Sequence, residues 1–381
     1  MEAEALPGVE DLIASSARLP TDRAYGVATD SLRSSLMTLG HGVLVAAPVL
    51  GRTGGPPVDI NLTSPSWIWS RKLQEYSAAA PVGTWSARLA VARKLRSRLS
   101  VVAPERLWTR FPELALASHE RLAKVVLELH HVPHGLERYL TQTAARLLGR
   151  RLVLVAISDR IADSLEPISV CCKQLLVEPS GVDTKFFLPH RSLSSDPLRL
   201  LYIGSFSSEG EERGCRQFVD LALALQQRKV DSRLRIVGGR GHEVSKLIAY
   251  RDHLGISPVH CSIESHVPRD QVSSIVAWAD IVLANYPESL TARHQSPLKL
   301  IEYAASGRPI VASATSSVLG TLPARAFIPY TEGDLESLIG AVLCVATSAT
   351  VREGATSSAT SWARQREWRT RTGRILDAIA Q

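Results

Sequence analysis

Ser296-Pro297-Leu298-Lys299-Leu300-Ile301-Glu302-Tyr303-Ala304-Ala305-Ser306-Gly307-Arg308-Pro309-Ile310-Val311 reads as one short helix running straight into a strand. Ser296 suits the N-cap and Pro297 the first helical position. Gly307 suits the C-terminal cap, and Pro309 stops the helix from continuing. The spacing predicts a helix over 297–306. Its first turn leaves backbone N–H groups near Leu298 and Lys299 without intrahelical partners. Those donors, the helix dipole and the Lys299 ammonium make an anion site suited to a diphosphate. Glu302 lies three residues on and shares a face with Lys299. A carboxylate does not serve phosphates, but it accepts hydrogen bonds from ribose hydroxyls. A capped surface helix with an ordinary Lys–Glu pair is the plainer reading of the same residues.

Working outward, strands and helices alternate on both sides. Apolar runs at 198–203, 233–237, 259–263, 281–284 and 309–312 read as strands separated by helical segments. Upstream, residues 189–197 are polar and Pro-containing, like an interdomain linker. Before them, a strand at 12–16, a helix at 27–39 closed by Gly40 and a strand at 43–47 form a parallel βαβ unit. Further strands fall at 106–109, 124–129 and 152–157. Residues 60–81 read as a variable loop, and the Ser/Thr/Ala-rich stretch 346–361 as a loose connection. The expected class is α/β, with two Rossmann-like doubly wound domains: 1–188, a linker at 189–197, and 198–360, followed by a terminal segment at 361–381.

A chain of 381 residues, 45% hydrophobic and 21% charged, suits two globular domains. Five cysteines, Cys171, Cys172, Cys215, Cys261 and Cys344, have no ligand spacing and suit a reducing compartment. The start is acidic and lacks a basic segment leading into an apolar run. The expectation is a cytoplasmic protein, either free or peripheral at the inner membrane face. A net charge of +7 suits an anionic partner. Trp85, Leu89, Ala92, Leu95 and Leu99 form a helical stripe amid Arg88, Arg93, Lys94, Arg96 and Arg98. Such a helix either lies on anionic lipid or packs its stripe into the first domain.

The 296–311 segment resembles the donor-site motif of retaining GT-B glycosyltransferases, glycosyltransferase family 4 above all, in its Ser-Pro-Leu-Lys variant. Glu302, Ala304, Gly307 and Pro309 carry the match. The family's first motif Glu falls at His294 here. The likeness extends along the chain. Leu201-Tyr202-Ile203-Gly204-Ser205-Phe206 resembles the strand and glycine turn that open the donor domain, with Ser205 where Arg is usual and Arg213-Gly214 where Lys-Gly is usual. Ile236-Val237-Gly238-Gly239 resembles the next strand and turn, and Ser265-His266-Val267-Pro268 the turn facing the nucleobase. Residues 18–26, holding Tyr25 and Gly26, resemble the acceptor-domain opening. Trp108-Thr109-Arg110 and the run 126–133, with His130 and His131, resemble strand ends of that domain. The end of the chain resembles the family's last helix, which crosses back to the first domain.

The resemblance implies two domains facing a cleft and transfer of a sugar from a nucleotide diphosphate sugar, a UDP-sugar foremost. The acceptor is a hydroxyl of a glycan, a lipid-linked or a small molecule, and configuration is retained. It implies glycoconjugate or polysaccharide biosynthesis, with no metal, no tightly bound cofactor and no nucleic-acid partner. His130 is the catalytic candidate. Donor binding falls to Gly204, Ser205, Arg213, Gly238, His266, His294, Ser296, Pro297, Leu298, Lys299 and Glu302. The acceptor or loop side takes Tyr25, Gly26, Arg110 and His131. Loss of the first motif Glu leaves Glu288 or His294 to take a modified role. The alternatives are a GT-B sugar-nucleotide epimerase and a binding or scaffold subunit without turnover.

Overall fold

The computed structural model describes residues 9–16, 24–47, 85–120, 122, 124–188, 197–208, 211–288 and 298–381. Contacts divide the chain into two units, one of residues 1–180 with 368–381 and the other of residues 181–367.

The first unit is built on six parallel strands in the order β2-β1-β3-β4-β5-β6. They are β1 (Asp11–Ala14), β2 (Val43–Ala46), β3 (Arg106–Thr109), β4 (Lys124–Leu129), β5 (Leu152–Ala156) and β6 (Gln174–Val177). The helices are α1 (Ala24–Thr38), α2 (Trp85–Val102), α3 (Pro112–Ala117), α4 (Gly135–Leu148) and α5 (Asp159–Ser169). Side chains alternate across a strand, so β5 is apolar on both faces. Leu152, Leu154 and Ala156 join one core with Leu95, Leu114, Leu148 and Ile161. Val153 and Val155 join the other with Leu32 and Leu36 of α1. Parallel strands covered on both faces read as continuous hydrophobic runs, which is why these strands are legible.

Ala92, Leu95 and Leu99 of α2 are buried in the first of these cores. Arg88 of α2 holds Glu113 through two hydrogen bonds of 2.7 and 2.8 Å. The apolar stripe of the basic helix is therefore largely spent on packing.

The second unit carries six parallel strands in the order β11-β10-β7-β12-β13-β14. They are β7 (Leu198–Ile203), β10 (Ser232–Gly239), β11 (Cys261–Ser265), β12 (Ile281–Ala284), β13 (Ile310–Ser313) and β14 (Ile328–Tyr330), with a small hairpin of β8 (Ser207–Ser208) and β9 (Glu211–Glu212). The helices are α6 (Cys215–Gln227), α7 (Gly241–His253), α8 (Val272–Trp278), α9 (Leu298–Ala305), α10 (Ser316–Leu319), α11 (Leu335–Thr347) and α12 (Ala349–Arg364). This order reverses between β7 and β12, the switch point of a doubly wound sheet, where ligands settle at the strands' carboxyl ends. In the first sheet the reversal lies between β1 and β3.

Three sequence expectations change. The chain passes between units at Ser180–Gly181, ahead of residues 189–197, because Val182 and Phe186 are buried in the second unit's core. Residues 346–361 are helical rather than loose. Ser348 Oγ accepts from the Val351 N–H to start α12. Ala359 and Ala363, small enough for close packing, are buried in the core that includes α9. The last segment breaks at 365–367: α12 belongs to the second unit and α13 (Trp368–Ala380) to the first. Ile375 and Ile379 of α13 complete the core over α1. The loop expected at 60–81 lies outside the described residues. Among the described helices, none alone is long and apolar enough to cross a membrane.

Candidate active site

Helix α9 spans Leu298–Ala305, with Ser306 in the following turn and Gly307 at φ +64° in the left-handed cap position. Leu300, Ile301, Tyr303, Ala304 and Ala305 are all fully buried. Eight residues make a marginal helix in water. Burial, worth about 1.5–3 kcal/mol per large apolar side chain, holds it. Tyr303 fixes its register: Tyr303 Oη accepts the Ile203 N–H at 3.0 Å. That bond ties α9 to the carboxyl end of β7, beside the switch point. Tyr303 follows Glu302 in the motif, but its identity alone does not signal this brace.

Lys299 therefore lies against the glycine turn after β7. A Cβ on Gly204 would fall 1.7 Å from Lys299 Nζ. Gly238, near the end of β10, is packed as tightly: a Cβ there would meet the Gly204 carbonyl oxygen at 2.5 Å. At Gly238 the obstacle is backbone that cannot yield, and both glycines hold positive φ, +156° at Gly204 and +118° at Gly238, which L side chains rarely adopt. Lys299 Nζ sits 4.2 Å from the Tyr202 ring centroid and 5.9 Å from that of Tyr286. The Arg213 guanidinium lies 4.9 Å from the Tyr286 ring. Burial, and then the like charge of Arg213, push the Lys299 ammonium down to about 7. Two cationic groups gathered at a glycine turn form a site that an anion would stabilise. Gly214 closes the turn: it adopts φ +66°, and a Cβ there would run into the Asn285 side chain.

Glu302 is 7% exposed and pairs with Arg269, which also approaches Asp183 at 3.7 Å and stacks 4.8 Å over Phe186. Burial raises its carboxyl despite Arg269. Arg269 and Asp183 are neighbours that motif matching missed, and no spacing in the sequence links them to Glu302. Ser205 is exposed, and its carbonyl accepts from Tyr202 Oη at 2.7 Å. His266 is exposed just beyond β11, its N–H bonded to the Gly239 carbonyl at 3.0 Å. Leu298 opens α9, whereas His294, Ser296 and Pro297 lie outside the described residues. Glu288 does not take a free carboxylate role. Its two oxygens accept from the Ser316 N–H at 2.7 Å and from Ser316 Oγ at 2.5 Å, at the start of α10.

The first unit has its own cluster at the carboxyl ends of β3 and β4. Glu128, 7% exposed, accepts from Arg371 of α13 at 2.6 Å through Oε2. Its Oε1 takes Arg110 at 3.3 Å and His130 Nε2 at 2.5 Å. Burial opposes ionisation of Glu128, but Arg371, His130 and Arg110 together hold its carboxyl well below the ordinary range. His130 goes the other way: burial, then the Arg110 charge, push its imidazole down to about 4. It is neutral at any physiological pH. His131 turns to Glu137 on α4 at 2.7 Å, and that bond raises its imidazole. The two adjacent histidines thus separate, and His130 is the one that reaches the buried acid. A small pocket of about 30 Å³ adjoins the cluster, lined by Ala14, Ser15, Thr29, Thr109, Arg110 and Glu128 among others. Gly26 is buried within α1; the Tyr25 side chain lies outside the described residues. Glu128 and Arg371 were not singled out in the sequence, since an acid within a strand and an Arg some 240 residues later carry no shared motif.

Residues 197–348 match the family model described as "Glycosyl transferases group 1". The solved structures extend the likeness in fold to nearly the whole chain. A glycosyltransferase from Rickettsia africae superposes with a TM-score of 0.68 at 14% identity, over 98% of each chain. Anabaena HepE, solved with UDP and glucose, gives 0.66 at 13% identity, over 98% of this chain and 99% of that one. Sucrose-phosphate synthase from Thermosynechococcus elongatus gives 0.64 at 13%, over 98% of both. The chain is a glycosyltransferase of the GT-B fold. No curated protein matches it at the level of sequence. At such low identity the structural likeness speaks for the fold. For this glycosyltransferase, substrate and residue roles are a question for the site itself.

Proposed function

We propose that this glycosyltransferase takes its sugar from a UDP-sugar and passes it, with retention of configuration, to an acceptor hydroxyl. The second unit holds the donor. Lys299 and Arg213, with backbone at the Gly204 turn, bind the diphosphate, and Glu302 accepts from the ribose hydroxyls. The observation that carries the reading is the pair of half-buried cations, Lys299 and Arg213, gathered at the β7–β12 switch point inside the segment that matches a glycosyl transferase model. As the bond to the sugar breaks, negative charge grows on the departing diphosphate. Cations already in place stabilise that charge without reorganising. Uridine is favoured because HepE was solved with UDP and with UDP-glucose. The acceptor belongs to the first unit, where neutral His130 is the catalytic group and Arg110 lines the adjoining pocket.

The test is a thermal-shift series with UDP, GDP, ADP, TDP and CDP, followed by labelled sugar nucleotides of the responding base. A ligand that binds only the folded state raises the melting temperature by mass action. Stabilisation by UDP above the other four is the expected result. No response to any of them at millimolar concentration would remove the donor-site assignment and leave a binding or scaffold subunit.

A further inference from the structure

His130 has two ring nitrogens, and the structure settles what each can do. Its Nε2 points at Glu128 Oε1. Glu128 is held ionised by two guanidiniums, and an ionised carboxylate only accepts hydrogen bonds. The proton of a neutral imidazole must then sit on Nε2, which leaves Nδ1 with a lone pair. The carboxylate itself is not free to turn. Strand alternation sends Glu128 to the face carrying Val126 and Trp108, under α1 and α13. There Arg371, 1% exposed, grips Oε2 and also donates to the carbonyls of Glu178 at 3.0 Å and Pro179 at 2.7 Å. Arg374, one turn further along α13, holds the Glu178 carboxylate through two bonds of 2.7 Å. The last helix thus anchors the acid, and the acid anchors the ring. His130 keeps about a quarter of its side chain exposed, so the ring is held on one side and open on the other.

We propose that Glu128, clamped by Arg371, is a positioning residue that locks His130 in its neutral Nε2–H tautomer, so that Nδ1 accepts a hydrogen bond from a substrate hydroxyl. The proposal rests on His130 being the catalytic group of the transfer reaction. It makes His130 an acceptor toward substrate, not a donor to a carbonyl or phosphoryl oxygen. The ligand it recognises is a polyol hydroxyl that has a proton to give. Arg110, just past the end of β3, and Arg371 of α13 are the charged groups facing the ring besides Glu128. Both disfavour a second proton on it.

The experiment is two-bond 1H–15N correlation on protein labelled with 15N-histidine, with His130 assigned from His130→Gln. In wild type the Nε2–H pattern is expected, unchanged between pH 6 and 8. An Nδ1–H or imidazolium pattern overturns the proposal. In Glu128→Gln the amide oxygen stays with Arg371 and the NH2 faces Nε2, so the tautomer should invert to Nδ1–H. No inversion overturns the role of Glu128. Glu128→Asp keeps the charge and should keep the Nε2–H form. It carries the test should the Gln variant fail to fold, and an inverted tautomer in it overturns the proposal. In transfer assays, Glu128→Gln should lower kcat about 100-fold, the scale of one lost proton-handling contact, while the donor KM moves less than twofold. Inversion with undiminished kcat overturns the use of Nδ1. The spectra need no turnover, so a failed donor assignment shows itself separately as absent UDP binding.

Discussion

At the switch-point end of the first sheet, a buried carboxylate, Glu128, is matched by two guanidiniums and an imidazole N–H. At that of the second, a half-buried ammonium, Lys299, shares its space with a guanidinium, and the nearby carboxylate, Glu302, is engaged by Arg269. One cluster satisfies its own charge and stays ionised. The other concentrates like charge, and its lysine is driven towards neutrality. Both are polar networks at the switch-point ends of their sheets. A compensated network fixes geometry, whereas a network with surplus positive charge is completed by an anionic ligand. The same fold thus carries one network that holds its own geometry and one that an anion would complete.

The largest expected effect lies in the compensated cluster. Glu128→Ala leaves Arg371 buried without its carboxylate, and breaking such a pair costs about 3–5 kcal/mol. Urea unfolding followed by tryptophan fluorescence should show that loss. A cost below about 1 kcal/mol would mean that the cluster is not a structural clamp.

Lys299→Ala should behave in the opposite way. UDP affinity, measured by calorimetry, should fall about 10- to 100-fold, the value of a charge-assisted hydrogen bond of about 1.5–3 kcal/mol. Unfolding stability without nucleotide should hold or rise, because a poorly solvated ammonium has gone. A destabilised variant that binds UDP normally would merge the two clusters into one structural class.

The pH dependence is the smallest effect and sharpens the contrast. The folded Lys299 value, about 7, lies below its ordinary 10.5, so between these values the unfolded chain binds more protons. Stability without ligand should therefore rise with pH across that window. Diphosphate binding favours the charged lysine and takes up a proton, so the Kd for UDP should rise by up to about tenfold per unit between pH 7 and 9. The terminal phosphate is already fully ionised there, with its second pKa at about 6. Lys299→Arg should flatten the profile. A wild-type Kd independent of pH would show that Lys299 is charged before ligand arrives.

Much of this was legible in the sequence for a physical reason. Buried parallel strands are continuous apolar runs, so β3, β4, β7 and β12 were found at their observed bounds. Helix α9 was recognisable from Gly307 and Pro309, which act through their own backbones. Residues 346–361 misled because Ser, Thr and Ala suggest a loop when their neighbours are unknown. Next to α9, small side chains are what permit close helix packing. Likewise Glu288 looked available as a motif substitute until the start of α10 was seen to use both its oxygens.

By itself the sequence determined two α/β units, the helix that carries Lys299 and Glu302, and the glycines that let a turn approach a ligand. Those follow from local rules: side-chain periodicity, caps and the steric freedom of glycine. Tertiary structure alone decided which histidine meets the buried acid, that Arg371 holds that acid across 243 positions of chain, and that Arg269 covers Glu302. Charge compensation depends on distances between segments remote in sequence. No local pattern encodes them until the sheets bring those segments together.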